Sequence, residues 1–293
     1  MMYYLLSFFI KLLSYIPFGI LYILSDFLFY FVYYVLRYRR IVVRKNLTES
    51  FPEKNNHEII MIEKKFYRSF TDNILESCKM ATISKKEISR RMKFINVEKL
   101  NAVLKDGKSV SLYLGHYGNW EWVSSIPIYL DKGIVGAQIY HKLHNEDMNK
   151  IILKNRGRMG AINVEMNRTA RYINELAVEN KVCIIGFIAD QSPRKRDSRH
   201  FIPFLNHNVP VLTGTEKITK HYGFEAWFLK VRRIKRGYYE AEFVKMCENP
   251  KALPDFELTS IYFNMLEQMI KTTPELYLWT HNRFKYAIKL EAK

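Results

Sequence analysis

The sequence predicts an α/β sandwich with a largely buried sheet, preceded by an apolar helix or helical hairpin. Three observations carry this prediction. From Ser109 onward, short apolar runs alternate with segments of helical periodicity. Apolar residues make up 48% of the 293, enough for a sizeable core. The stretch 1–36 holds only two charges, Lys11 and Asp26.

Taken in order, Tyr3 to Ser14 reads as an apolar helix, and Pro17 with Gly19 separates it from a second apolar run, Tyr15 to Leu36. At about 1.5 Å rise per residue, that second run is long enough to cross a hydrocarbon layer of about 30 Å. Arg37, Arg39, Arg40, Arg44 and Lys45 follow at once. By the positive-inside rule they hold the following domain on the cytoplasmic side. The basic cluster lies after the apolar run and no small-residue cleavage site follows, which speaks against a signal peptide. Three arrangements stay open: a crossing, a hairpin lying in the interface, and a core hairpin. The expected division is a membrane-anchoring segment, 1–45, and a second domain, 46–293.

Asn46 to Asn56 is a polar connection containing Pro52. Residues 57–80 carry Ile60, Ile62, Phe66, Phe70, Ile74 and Leu75 at helical spacing, and Lys85 to Lys93 reads as a short exposed helix. The alternation then runs strand Ser109–Leu114, helix Asn119–Leu130, strand Ile134–Tyr140, helix Asn145–Met159, extended Ile162–Val164, helix Arg168–Asn180 and strand Val182–Ala189. A polar loop, Asp190 to Arg199, is followed by helix Thr213–Tyr222 and strands Ala226–Val231 and Tyr238–Val244 around a basic turn. Helix Phe256–Thr272 and the segment Pro274–Trp279 complete the reading.

Lys and Arg number 46 against 29 Asp and Glu, a net charge of +17. Such an excess suits nucleic acid, an anionic membrane surface or a phosphorylated substrate. No helix-turn-helix, zinc finger or RNP-like motif supports nucleic acid. Cys78, Cys183 and Cys247 are too widely spaced for a metal site or a disulfide framework, which fits a reducing compartment and buried apolar thiols. His141, His144, His200, His207 and His221 have no metal spacing with carboxylates, so no metal is expected.

The segment with chemical content is Tyr113-Leu114-Gly115-His116-Tyr117-Gly118-Asn119-Trp120-Glu121-Trp122. It places an imidazole at a strand end, between glycines, with a carboxylate five residues on. On a regular helix that spacing is ~500°, leaving the two side chains about 140° apart. They meet only if His116 lies in the turn and Glu121 in the first helical turn. A carboxylate holding one imidazole nitrogen fixes the tautomer and leaves the other nitrogen free to take a proton. No Ser or Cys forms a nucleophile elbow nearby, so the hydroxyl to be activated belongs to a substrate. The other reading is a structural His–Glu hydrogen bond at a helix start.

Three further segments bear on that choice: Asn155-Arg156-Gly157-Arg158-Met159-Gly160; Ala189-Asp190-Gln191-Ser192, with Phe201-Ile202-Pro203-Phe204-Leu205-Asn206 after it; and Pro274 to Lys285, reading PELYLWTHNRFK. With Asn46-Leu47-Thr48-Glu49-Ser50-Phe51-Pro52, the chain resembles the bacterial lipid A biosynthesis (late) acyltransferases over essentially its whole length. That family lies within the lysophospholipid acyltransferase-like group. The resemblance implies a glycerol-phosphate-acyltransferase-like α/β sandwich at the bacterial inner membrane. It also implies transfer of an acyl chain from an acyl carrier protein or coenzyme A thioester to a lipid hydroxyl, with no separate cofactor. It gives His116 the role of base and Glu121 that of its partner. The family's helix-end arginine matches Arg158, with Arg156 close by, and its strand-end acid matches Asp190. The chain departs at Leu205-Asn206, where the family often has an aromatic-glycine pair, and at Asn282, where it usually has arginine.

An acyl transferase must supply donors to a thioester oxyanion. Candidates are the backbone N–H groups near Gly118 and Asn119, and Arg158 by charge-assisted bonding. Asp190 is either a partner for an arginine or second histidine, or a loop cap. Arg194, Lys195, Arg196 and Arg199 suit phosphates or a membrane surface, or are simply solvated. Lys230, Arg232, Arg233, Lys235 and Arg236 read as a hairpin tip facing headgroups, an acidic carrier protein or solvent. His281 and Arg283 read as supporting residues. The expected acceptor is a lipid A precursor. The alternatives are transfer to another lysolipid or aminolipid, or a noncatalytic lipid-binding membrane protein.

Overall fold

A computed structural model describes residues 2–289. Residues 290–293 of the expected second domain lie outside the described residues. In chain order the elements are α1 (Met2–Tyr15), α2 (Phe18–Tyr30) with a π-helical turn Phe31–Val35, α3 (Arg40–Ser50), α4 (Asn56–Lys79), α5 (Lys85–Arg91), β1 (Met92–Ile95) and α6 (Val97–Lys105). Then come β2 (Val110–Leu114), a 3-10 segment Trp122–Tyr129, β3 (Val135–Tyr140), α7 (Glu146–Gly157), β4 (Ile162–Glu165), α8 (Thr169–Val178) and β5 (Cys183–Ile188). The last are β6 (Phe201–Phe204), β7 (His207–Pro210), α9 (Gly214–Tyr222), β8 (Glu225–Lys235), β9 (Tyr238–Lys245), α10 (Glu257–Thr272) and β10 (Ile288–Lys289).

The main sheet has seven strands in the order β1-β9-β8-β2-β5-β3-β4. All its pairings are parallel except the β8–β9 hairpin. Every residue of β2 is buried, as expected of a central parallel strand covered on both faces. The predicted α/β architecture with buried central strands is what the chain forms.

The differences have local causes. The expected helix Asn119–Leu130 is a 3-10 segment from Trp122. The Asn119 side chain captures the Trp122 amide at 3.1 Å, the Ser124 and Ser125 hydroxyls bond the carbonyls of Glu121 and Trp122, and Pro127 removes a donor. Residues 92–95, read as the end of an exposed helix and its surroundings, form β1, with Met92 and Phe94 facing in. Phe201–Phe204 and His207–Pro210 form a hairpin whose turn, Leu205-Asn206, has φ of 49° and 62°. A two-residue turn of this hand favours Asn or Gly at such positions.

Phe18–Val35 is long and apolar enough to cross a membrane by length and composition. One face, Leu21, Ser25 and Phe29, is buried against the body of the protein. Ile20, Ile23 and Phe27 are exposed. Asp26, the charge inside this apolar run, pairs with Arg236 at 2.9 Å and with Arg68 at 3.6 Å. Arg236 also binds Asp72 of α4 at 2.6 Å, so the basic β8–β9 turn reaches back onto α2 and α4. Arg233 likewise donates to Ser69 at 2.8 Å. Residue 45 lies inside α3, so that helix runs through the boundary expected from sequence.

Candidate active site

The site grows out of one parallel pairing. β2 and β5 are neighbours, and Leu114 pairs with Ile188. Two residues beyond those partners stand His116 and Asp190, side by side at the carboxyl ends of the strands, where open α/β sheets bind ligands. The Asp190 Oδ1 lies 2.7 Å from His116 Nδ1, and Oδ2 accepts the His116 backbone N–H at 3.2 Å. With Nδ1 carrying the proton toward Asp190, Nε2 is the acceptor. It faces the Gln191 amide at 3.4 Å.

Asp190 is buried, and burial raises the pKa of a carboxyl group. Attraction to His116, its ring hydrogen bond and two backbone amides overcome that effect and hold Asp190 below the usual carboxylate range. A buried anion in this place fixes the histidine tautomer.

The C-terminal segment holds this arrangement in place. The Leu278 amide donates to the His116 carbonyl at 3.0 Å, and the Gly118 amide to Leu276 O at 2.9 Å. Burial, then the charge of Asp190, keeps the Tyr277 phenol protonated well above its ordinary range. His281 Nε2 accepts the Ser192 amide at 3.0 Å, which needs that nitrogen unprotonated. Burial lowers its pKa to about 4, consistent with that bond. Asn46 of α3 in turn binds the carbonyls of Trp279 and His281, at 2.9 and 2.8 Å. Arg283 is buried among Phe204 and Phe263, with guanidinium-to-centroid distances of 5.7 and 5.5 Å, and donates to Pro210 O at 3.2 Å.

The other predicted residues are distributed differently from expectation. Glu121 does not orient the imidazole. Both of its oxygens accept from Arg156, at 2.7 and 2.5 Å, and Asp190 takes the role expected of Glu121. Trp120, packed edge-on against His116 at 5.5 Å between centroids, donates to the same Glu121 at 3.2 Å. Arg158 does not face this site: its guanidinium donates to the carbonyls of Met80 and Ile83, fastening the α4 C-terminus. The N–H of Gly118 is committed to Leu276, so it is not an oxyanion donor in this conformation. The Asn119 side chain is buried and donates to Glu76 at 2.7 Å. Glu76 also accepts from Tyr22 and Tyr239, at 2.9 and 3.0 Å, which anchors the turn after His116 to α2, α4 and β9.

An apolar cavity of about 60 Å³ lies beside the strand ends. Leu114, Ile188 and Gly186 line it from the sheet, Val123 and Pro127 from the 3-10 segment, and Trp120 and Arg156 at the site. A second cavity, of about 270 Å³, is lined by the same Trp120 and Arg156. Arg194, Lys195, Arg196 and Arg199 are exposed on the loop after Asp190. Among the described residues, no group of three or more His, Cys, Asp or Glu is arranged to hold a metal ion.

The sequence profile of the bacterial lipid A biosynthesis acyltransferases matches residues 1–286. No protein of curated function shows significant similarity to the chain.

Proposed function

The chain belongs to the bacterial lipid A biosynthesis acyltransferase family, whose members are acyltransferases, and from that premise we propose the reaction and its machinery. The reaction is transfer of a fatty acyl chain from an acyl carrier protein or coenzyme A thioester to a hydroxyl of a lipid A precursor, at the cytoplasmic face of the bacterial inner membrane. The observation that carries this reading is the His116–Asp190 pair, 2.7 Å apart, with Trp120 packed on the imidazole and lining an apolar cavity. His116 Nε2 removes the acceptor's hydroxyl proton as its oxygen attacks the thioester carbonyl. The resulting tetrahedral oxyanion collapses, the C–S bond breaks, and the imidazolium returns the proton to the departing thiolate. The products are an ester and a thiol, with no acyl-enzyme. Asp190 keeps Nδ1–H aligned and offsets the positive charge on the ring. Arg156, locked by both Glu121 oxygens, supplies cationic charge for the oxyanion. Arg194, Lys195, Arg196 and Arg199 suit the phosphates of donor or acceptor.

Mass spectrometry of membrane lipids from cells with and without the protein tests the reaction. One acyl-chain mass gain on lipid A is the expected result. A gain confined to another lysolipid or aminolipid replaces the acceptor. No gain from well-expressed, folded protein leaves a noncatalytic lipid binder.

We assign the end of the donor's acyl chain to the first cavity, whose volume of about 60 Å³ takes a few methylenes and not a whole chain, and Gly186 gives a test of it. A Cβ there would meet the Leu114 Cδ2 at 3.7 Å and the Ala137 carbonyl at 3.8 Å, ordinary contacts that the fold tolerates. Gly186→Val, checked for folding by its thermal transition, is expected to shorten the cavity. Competition between thioesters of different length should show preference moving to shorter chains by about tenfold, since each lost buried methylene costs about 0.8 kcal/mol.

A further inference from the structure

We propose that the second cavity holds a hydrocarbon chain of the lipid acceptor, with the Trp120–Glu121–Arg156 cluster as the wall between acceptor and donor chains. This rests on the acyl-transfer reading above. Trp120 and Arg156 line both cavities, so the occupants would be separated by a single layer of side chains. The second cavity is formed by Ile10 of α1, by Phe70, Ile74 and Cys78 of α4, and by Ile151 and Ile152 of α7. Its lining also includes the polar side chains of Asn73, Ser77 and Asn155 and the Glu121–Arg156 pair, whose partners hold each other.

Position decides which chain goes where. The first cavity lies between the sheet and the 3-10 segment, with no residue of α1 in its lining. The second has α1 as part of its wall, and the outer surface of α1 carries a continuous exposed apolar row of Leu5, Phe8, Phe9 and Leu12. A helix of this kind suits contact with the acyl layer of a membrane. A lipid whose tails already lie in that layer reaches the second cavity along α1, whereas a thioester carried in water has no such route. Apolar walls with a few polar groups are also what a lipid-chain site needs: burial supplies affinity, and the polar groups fix how far the chain enters. Held there, the chain sets the distance between the acceptor's headgroup and His116.

Cys78 lines the second cavity and is absent from the lining of the first, so it reports occupancy without requiring turnover. Burial pushes its thiol up to about 11, and alkylation is therefore followed at alkaline pH by peptide mass spectrometry on the full chain in detergent. A lipid A precursor bearing acyl chains is expected to slow Cys78 alkylation by about tenfold, and a fatty acyl coenzyme A by less than about twofold. Equal protection by the acyl coenzyme A, or none by the precursor, overturns the assignment. Ile152→Trp, checked for folding by its thermal transition, gives a kinetic readout: KM for the acceptor should rise by about tenfold while KM for the donor stays within about twofold. A rise in donor KM alone, or no change in either, also overturns it. If the wild-type protein transfers no acyl group to the precursor, the reaction assignment fails, while the alkylation experiment still decides whether a lipid chain occupies this cavity.

Discussion

Asp190→Asn should lower kcat by about 10²–10⁴-fold while leaving the fold intact, and His116→Ala should lower it at least as far. The asparagine is nearly isosteric and retains an oxygen that can accept the His116 backbone N–H, so the strand-end geometry survives. It removes the negative charge that stabilises imidazolium, and its amide can hold the ring in the wrong tautomer. Because both residues act in one proton transfer, the double variant should be little slower than His116→Ala alone. Steady-state kinetics on the four proteins reads this coupling directly. Wild-type kcat in Asp190→Asn would make the pair structural and return Glu121 to consideration as the imidazole's partner. The same substitution has a pH signature. Asp190 is held below the usual carboxylate range, so its pairing stabilises the fold above that range and the stabilisation is lost as pH falls through the depressed value. The Asn variant lacks that loss, and its stability should fall less steeply on acidification, as measured by urea unfolding across pH.

The partnership of His116 with Asp190 shows how far the sequence could be read. The apolar runs at 109–114 and 182–189 marked β2 and β5 because strands buried on both faces need little else. Nothing in either run says that they are neighbours. Once they are, the register Leu114↔Ile188 brings together the residues two positions past each strand. A histidine and an acid each standing one or two residues past an apolar strand are a usable signal, outweighed by the nearer Glu121. The arginines failed for a simpler reason. Arg156 and Arg158 are two residues apart at a helix end, about 200° around the axis, so only one can face the site. Which one depends on the packing of α7 against the rest of the fold, and local spacing does not contain that. β1 and the β6–β7 hairpin were missed because their four-residue strands are too short to establish a period. The β6–β7 turn, moreover, uses Leu205-Asn206 where glycine is the usual sign. From sequence the basic β8–β9 turn reads as a surface feature; Asp26 and Asp72, distant in sequence, turn Arg236 inward.

The second large effect is expected at Glu121 and Arg156, whose side chains are 19% and 22% exposed. Arg156→Met should reduce kcat/KM by about 10²–10³-fold, the range for loss of one donor to a developing oxyanion. Glu121→Gln should approach that loss although Glu121 does not touch His116 Nδ1. It removes the fork that holds the guanidinium in place and leaves Arg156 free to leave the wall between the cavities. Arg156→Lys should recover little, since an ammonium cannot span both carboxylate oxygens. Stability should follow the same logic. Removing one partner from a fully buried pair costs about 3–5 kcal/mol, and the residual exposure of this pair reduces the expectation to about 1–3 kcal/mol for either single variant. Glu121→Gln combined with Arg156→Met should cost less than the two single changes added together, because neither leaves an uncompensated charge when both are gone. Additive losses in urea unfolding would mean that the ion pair is not what holds Arg156. Unchanged kcat/KM in Arg156→Met would remove this arginine from the transition state and leave the oxyanion to be met by backbone donors.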